Sequence, residues 1–147
     1  MAITIDNRNS FGKLSLPELE DFEKVNNRKL PEDYRSFLLE SNGGVPRPNL
    51  RQITGKIVSC FLGMHNGPDY SSLYRAIESY SGRLPYCSFP IASDPFGNLF
   101  IMSLEEDCYG YIYFWDHENE SPVTDGHYVK NCHFEAYSFS DFINELK

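Results

Sequence analysis

Asp116-His117-Glu118, with His127 and His133 further along, is the densest run of metal-type ligands in the chain. The first chemistry to test is therefore convergence on a divalent cation. In an extended strand successive side chains point to opposite faces, so Asp116 and Glu118 share one side and His117 takes the other. A zinc site needs its ligands around one point, which this spacing does not supply without a bend. Asp116 reads instead as the residue that starts the turn ending a strand, and no metal ligands are assigned. Cys60, Cys87, Cys108 and Cys132 are too widely spaced for a CxxC pair or a zinc ribbon, and read as free thiols. Neither a GxSxG elbow nor a papain-like cysteine context is present, so no catalytic residue is assigned. Gly43-Gly44 follows a helical pattern rather than preceding one, which marks a helix exit and not a phosphate loop. The expectation is a binding protein rather than an enzyme, with no cofactor.

The remaining recognition chemistry is aromatic and acidic. Trp115 is the sole tryptophan, crowded by Tyr109, Tyr111, Tyr113 and Phe114. Alternation puts Tyr111, Tyr113 and Trp115 on one face of a strand and Ile112 and Phe114 on the other. Either helices cover one face and loops the other, or some tyrosines line a surface of the kind that interfaces favour. Acidic groups flank the strand: Glu105-Glu106-Asp107 before it, Glu118 and Glu120 after it. Residues 1–83 are nearly balanced, with 11 Lys/Arg against 10 Asp/Glu, whereas residues 84–147 carry only Lys130 and Lys147 against 11 acidic residues. A net charge of −8 disfavours nucleic acid, whose phosphates need clustered cations. A one-signed acidic field instead steers a basic partner. Glu105, Glu106, Asp107, Trp115, Asp116, Glu118 and Glu120 are the candidate partner-binding residues.

The elements that would position them follow from periodicity. Phe89 to Glu118 reads as a β-meander: Phe89 and Ile91, then Leu99, Ile101 and Ser103 at period two, a turn at Asp94-Pro95-Phe96-Gly97-Asn98, and an aromatic strand from Tyr111 to Trp115. Ahead of it, Ser15-Leu16-Pro17-Glu18 has capping-box spacing, with Leu16, Leu19, Phe22 and Val25 as the packing side of the first helix. Leu30 to Gly44 is the strongest helical pattern: Pro31 suits a first turn, Tyr34, Phe37, Leu38 and Ser41 share a face, and Asn42-Gly43-Gly44 supplies a left-handed exit. Arg47 to Gly55 reads as loop, Lys56 to Leu62 as one continuous strand, and Asp69 as the cap of a third helix whose buried stripe is Tyr70, Leu73, Ile77 and Tyr80. Tyr128 to Phe134 reads as a further strand. A last helix starts at Ser138 or Ser140 and packs Phe139, Phe142, Ile143 and Leu146.

A chain of 147 residues suits one domain, residues 15–147, behind an irregular lead-in at 1–14. Neither a signal peptide nor a membrane-length apolar run is visible, which points to the cytoplasm. The order of these motifs resembles the SUKH superfamily over about Ser15 to Leu146. The most specific pieces are Leu30-Pro31-Glu32-Asp33-Tyr34 with Asn42-Gly43-Gly44, Gly97-Asn98, Tyr113 to His117, and Ser138-Phe139 with Phe142. The Asp94-Pro95-Phe96-Gly97 turn departs from the more glycine-rich turn of many relatives. The resemblance implies an α+β domain, a mainly antiparallel twisted sheet with helices packed on one side. It also implies a non-enzymatic immunity protein, favoured as a monomer, that binds and neutralises a cognate toxin, a basic one such as a nuclease. The alternative is an intracellular scaffold or regulatory module of the fungal cell-wall-regulator type.

Overall fold

The computed structural model describes residues 3–119 and 131–147. Its centre is a five-stranded antiparallel sheet in the order β5-β6-β7-β8-β9, made from β5 (Cys60–Phe61), β6 (Ser88–Ser93), β7 (Leu99–Ser103), β8 (Ile112–Trp115) and β9 (Cys132–Ala136). Three of these strands are the meander expected from period two. The turn between β6 and β7 is built as its chemistry requires: Asp94 Oδ1 accepts from the N–H groups of Phe96 and Asn98, and Gly97 takes φ +88°.

Among the described residues, four α-helices lie against one side of this sheet. Helix α1 (Leu16–Val25) begins with the expected capping box, Ser15 and Glu18 satisfying each other's orphan N–H groups. Helix α2 (Glu32–Ser41) takes Pro31 as its N-cap and leaves through Asn42 at φ +46°, Gly43 and Gly44. The exit admits nothing larger at Gly43, where a Cβ would stand 2.7 Å from the Phe61 carbonyl oxygen. Helices α3 (Leu73–Ser79) and α4 (Phe139–Asn144) complete the layer, Ser138 capping the latter by accepting from the Asp141 N–H at 3.0 Å. Leu19, Tyr34, Leu38, Leu73, Phe139 and Phe142 enter one cluster with Phe89, Phe100, Met102, Ile112 and Phe114 from the sheet. This is the single α+β domain with its helices on one side.

Several local expectations are corrected. Lys56 to Leu62 is not one strand. Ile57 belongs with β4 (Lys56–Ile57), paired to β3 (Leu50–Arg51), while from Ser59 on the chain bonds to β6, Ser59 N–H to the Ser93 carbonyl at 2.7 Å. An apolar run does not say which sheet its backbone joins. Within the expected loop Arg47–Gly55, Arg51 is a strand residue with a fully buried side chain. The third helix starts later than Asp69. Asp69–Ser71 is a 3₁₀ turn, Tyr70 is 72% exposed, and Ser72 caps α3 by accepting from the Arg75 N–H. Leu16 and Val25 are exposed, because α1 meets the core only along Leu19, Phe22 and Glu23. The lead-in contains a strand, β1 (Thr4–Asp6), antiparallel to β2 (Val45–Arg47). The last strand runs two residues beyond Phe134, to Ala136, while Tyr128 to Lys130 of its expected start lie outside the described residues.

Candidate functional site

The sheet face away from the helices is where described chemistry reaches solvent. Alternation along β8 sends Ile112 and Phe114 into the helix-side core and Tyr113 and Trp115 to this far face. At β9 the pairing slips: Ile112 faces Ala136 but Tyr113 faces Phe134, leaving Glu135 as the extra residue of a bulge. The bulge lets Glu135 turn inward to Arg51 while Phe134 joins the rings of β8. Four rings then meet edge to face or tilted. Tyr111 lies 5.2 Å from Tyr137 and 5.9 Å from Phe134, Tyr113 lies 6.0 Å from Phe134, and Phe134 lies 4.7 Å from Tyr137. Such geometries suit the ring quadrupole. The rings are nonetheless open to solvent: Phe134 is 45% and Tyr137 64% exposed. Burial first, and neighbouring Cys108 next, push the Tyr113 hydroxyl well above the ordinary tyrosine value, so it remains protonated.

The acidic loop sits at the start of this surface. Glu106–Cys108 form a 3₁₀ turn held by Ser103, whose hydroxyl accepts from the Glu105 N–H at 3.2 Å and lies 3.0 Å from Cys108 Sγ. Glu106 and Asp107 are exposed and Glu105 is half-buried. On its other side the turn is anchored by the Tyr109 hydroxyl, which donates to the Lys29 carbonyl between α1 and α2. Glu106 and Asp107 therefore stand in solvent on a fixed loop, with Glu105 half-buried at its start.

The other candidates fall differently. Trp115 has no exposed surface; Tyr80 meets it at 5.5 Å and Arg83 covers it at 5.5 Å, so it is a core residue of the far face and not a partner contact. Asp116 begins the turn after β8, accepting from the Glu118 N–H and from Asn119 Nδ2. The Asn119 hydrogen bond, foremost, holds its carboxyl below the ordinary aspartate range. Its charge is committed to that turn. Glu118 is exposed beside it, and Glu120 lies outside the described residues, as does His127.

His117 ties two turns together. Asn98 Oδ1 accepts from the His117 N–H at 3.0 Å and stands 2.6 Å from its Nδ1, while the ring passes 3.3 Å from where a Cβ on Gly97 would be. The Gly97-Asn98 pair is thus a structural joint between the β6–β7 turn and the end of β8. His133 points to solvent from β9. Among the described residues no three His, Cys, Asp or Glu side chains gather as a metal would require. Burial raises the Cys60 thiol and pushes the Cys132 thiol up to about 12, so both stay protonated at neutral pH.

Phe134 and Tyr137 are the surface residues that the sequence reading left unmarked. The clue was available in part, since Tyr111 and Tyr113 were already placed on the same face as each other; only the β9 bulge adds the other two. The comparisons with known proteins agree with this fold. The family model for the SMI1 / KNR4 family (SUKH-1) matches residues 13–145. A curated relative, the SPbeta prophage-derived uncharacterized protein YokK of Bacillus subtilis (strain 168), is 29% identical over 142 residues, covering 84% of this chain and 72% of the relative.

Proposed function

This chain belongs to the SMI1 / KNR4 (SUKH-1) family, and from that premise we propose that it is a non-enzymatic cytoplasmic immunity protein that occludes a cognate, basic toxin domain. The family's immunity branch supports the reading, and a prophage-derived relative is compatible with it. One observation carries it furthest: a cluster of four aromatic rings, of which Phe134 and Tyr137 are exposed and Tyr111 and Tyr113 half-buried, lies on the sheet face away from the helices, with the acidic Glu105–Asp107 loop leading into it. Half-exposed rings of low side-chain entropy suit a buried anchor in a complex. Acidic residues at its margin accelerate encounter with a cationic surface and leave the dissociation rate to the rings. Occlusion asks no reaction chemistry of the chain.

The test uses, as the trial partner, the product of the gene that neighbours this one. Replacing Glu105, Glu106 and Asp107 by Lys is expected to slow association about tenfold or more at low salt, the difference closing as salt screens it. Phe134→Ala with Tyr137→Ala is expected to raise the dissociation rate about thirtyfold, near 2 kcal/mol. Binding unchanged by both sets excludes this face as the site. Capture of other cellular proteins, with no affinity for the neighbouring gene product, points instead to a regulatory module.

A further inference from the structure

A second surface lies on the helix-covered side, independent of the ring cluster. Along α1, Asp21 and Phe22 stand three and four residues after Glu18, and Val25 stands four and three residues after them, so the four form a single stripe. Tyr74 and Ile77 on α3 face that stripe across an open groove of about 430 Å³. Val25, although it sits on an ordered helix, is 84% exposed. Phe22 forms the floor, its ring 6.4 Å from Tyr74 and 6.0 Å from Phe89 beneath.

The groove has a polarity. Its apolar end is Phe22, Val25 and Ile77, and its other end is Glu18, Asp21 and the Tyr74 hydroxyl, with no basic residue among those described as lining it. Burial first, and then the Glu18 and Asp21 carboxylates, push the Tyr74 hydroxyl upward, so the field of both acids reaches inside the groove. At 1.5 Å per residue, Asp21 stands about 6 Å and Glu18 about 10 Å along the axis from Val25. A groove between two helices accepts a third helix by its apolar face, and the charge at one end sets what that helix must carry.

We propose that the groove between α1 and α3 docks a helical segment of a second protein partner, one that places an Arg or Lys one to two turns from a bulky apolar residue. The cation meets Glu18 and Asp21 while the apolar side chain covers Val25 and Ile77. The domain is then two-sided, with one partner on the far face of the sheet and another on the helices.

The probe is a model peptide of about 16 residues, long enough to hold some helix alone, with Arg and Leu at i and i+4. Its controls carry Glu for Arg, or the Arg on the opposite helix face. Methyl resonances of Val25 and Ile77 in the full chain are followed during titration. The Arg peptide is expected to shift both and to bind about tenfold more tightly than either control. Asp21→Lys and Val25→Asp, both on exposed positions, are expected to weaken it about tenfold while leaving the melting temperature unchanged. Phe134→Ala with Tyr137→Ala leaves it unaffected, which separates this site from the toxin surface. No methyl shift, equal binding of the controls, shifts mapping to β8 and β9, or shifts that arise from protein concentration alone overturns the proposal.

Discussion

On the helix-covered face of the sheet, Phe100, Met102, Ile112 and Phe114 meet side chains from α1, α2, α3 and α4, and every one of them is buried. On the opposite face, Leu99, Ile101, Trp115 and Cys132 are closed over, among the described residues, by Tyr80, Arg83, Leu84 and Tyr113, and beyond them the rings of Phe134 and Tyr137 stand open. Both faces are drawn from the same strands and are equally rich in large apolar residues. Exposure therefore follows from what lies above a strand rather than from the hydrophobicity of the strand itself. A covered face reports on folding; a face that leaves aromatic rings uncovered costs solubility, and such patches commonly serve an interface.

That contrast makes its largest forecast in stability. Phe100 packs 5.1 Å from Phe142 and 5.4 Å from Phe114, so Phe100→Ala is expected to cost about 3–5 kcal/mol through lost burial and a cavity. Phe134→Ala, on the open face, is expected to cost about 0.5 kcal/mol or less. Urea unfolding with unchanged slope measures both; equal losses would mean that the ring cluster belongs to the core.

A comparable effect is expected where β3 is fastened to the C-terminal part of the chain. Arg51 donates from Nε to Glu135 at 2.8 Å and from Nη1 to Glu145 at 2.8 Å, and its guanidinium lies 4.9 Å over the Phe142 ring. Arg51→Met strands the buried Glu135 carboxylate with Thr54 as its remaining side-chain donor, and is expected to cost about 3 kcal/mol or more. Adding Glu135→Leu should recover much of the loss, since an apolar pair of similar size needs no counter-charge. A harmless single substitution contradicts this account of the bulge that also presents Phe134.

The smallest effect is in pH. His65 is buried, accepts from the Gly67 N–H at Nδ1 and lies 4.5 Å from the Phe11 ring in a tilted contact, and burial holds its imidazole below the ordinary histidine value. Its folded pKa is thus lower than its unfolded one. As pH falls the unfolded chain takes up this proton first, so the contribution is complete above about 6.5 and declines as pH drops toward the folded value. His65→Asn should flatten the dependence of the urea midpoint between pH 7.5 and 5.5; an identical slope in both proteins rejects the assignment.

How much of this was legible depended on distance along the chain. The capping box joins Ser15 to Glu18, three positions apart, and the left-handed exit falls at Asn42 and the two glycines after it, so both were visible in the sequence. The meander was visible because alternation is a property of each strand alone. Arg51 was not, since its partners Glu135 and Glu145 stand 84 and 94 positions away. Tyr70 was misplaced because Asp69 and Ser72 are both good caps. Ser72 prevails as the α3 cap, with its hydroxyl also donating to the His65 carbonyl at 2.6 Å. Of the candidate residues, Glu105, Glu106 and Asp107 lie on the acidic loop expected before the strand, whereas Trp115 is buried and the exposed rings are Phe134 and Tyr137.

The sequence by itself determined the family, the helix ends, the meander and its turn at Gly97-Asn98, and the acidic bias of the second half, because each rests on local backbone chemistry or on composition. Tertiary structure alone decided which aromatic residues are core and which are surface. One bulge at Glu135, one arginine arriving from β3 and the placement of all four helices on a single side fix that outcome. None of the three leaves a mark on the few residues around Trp115.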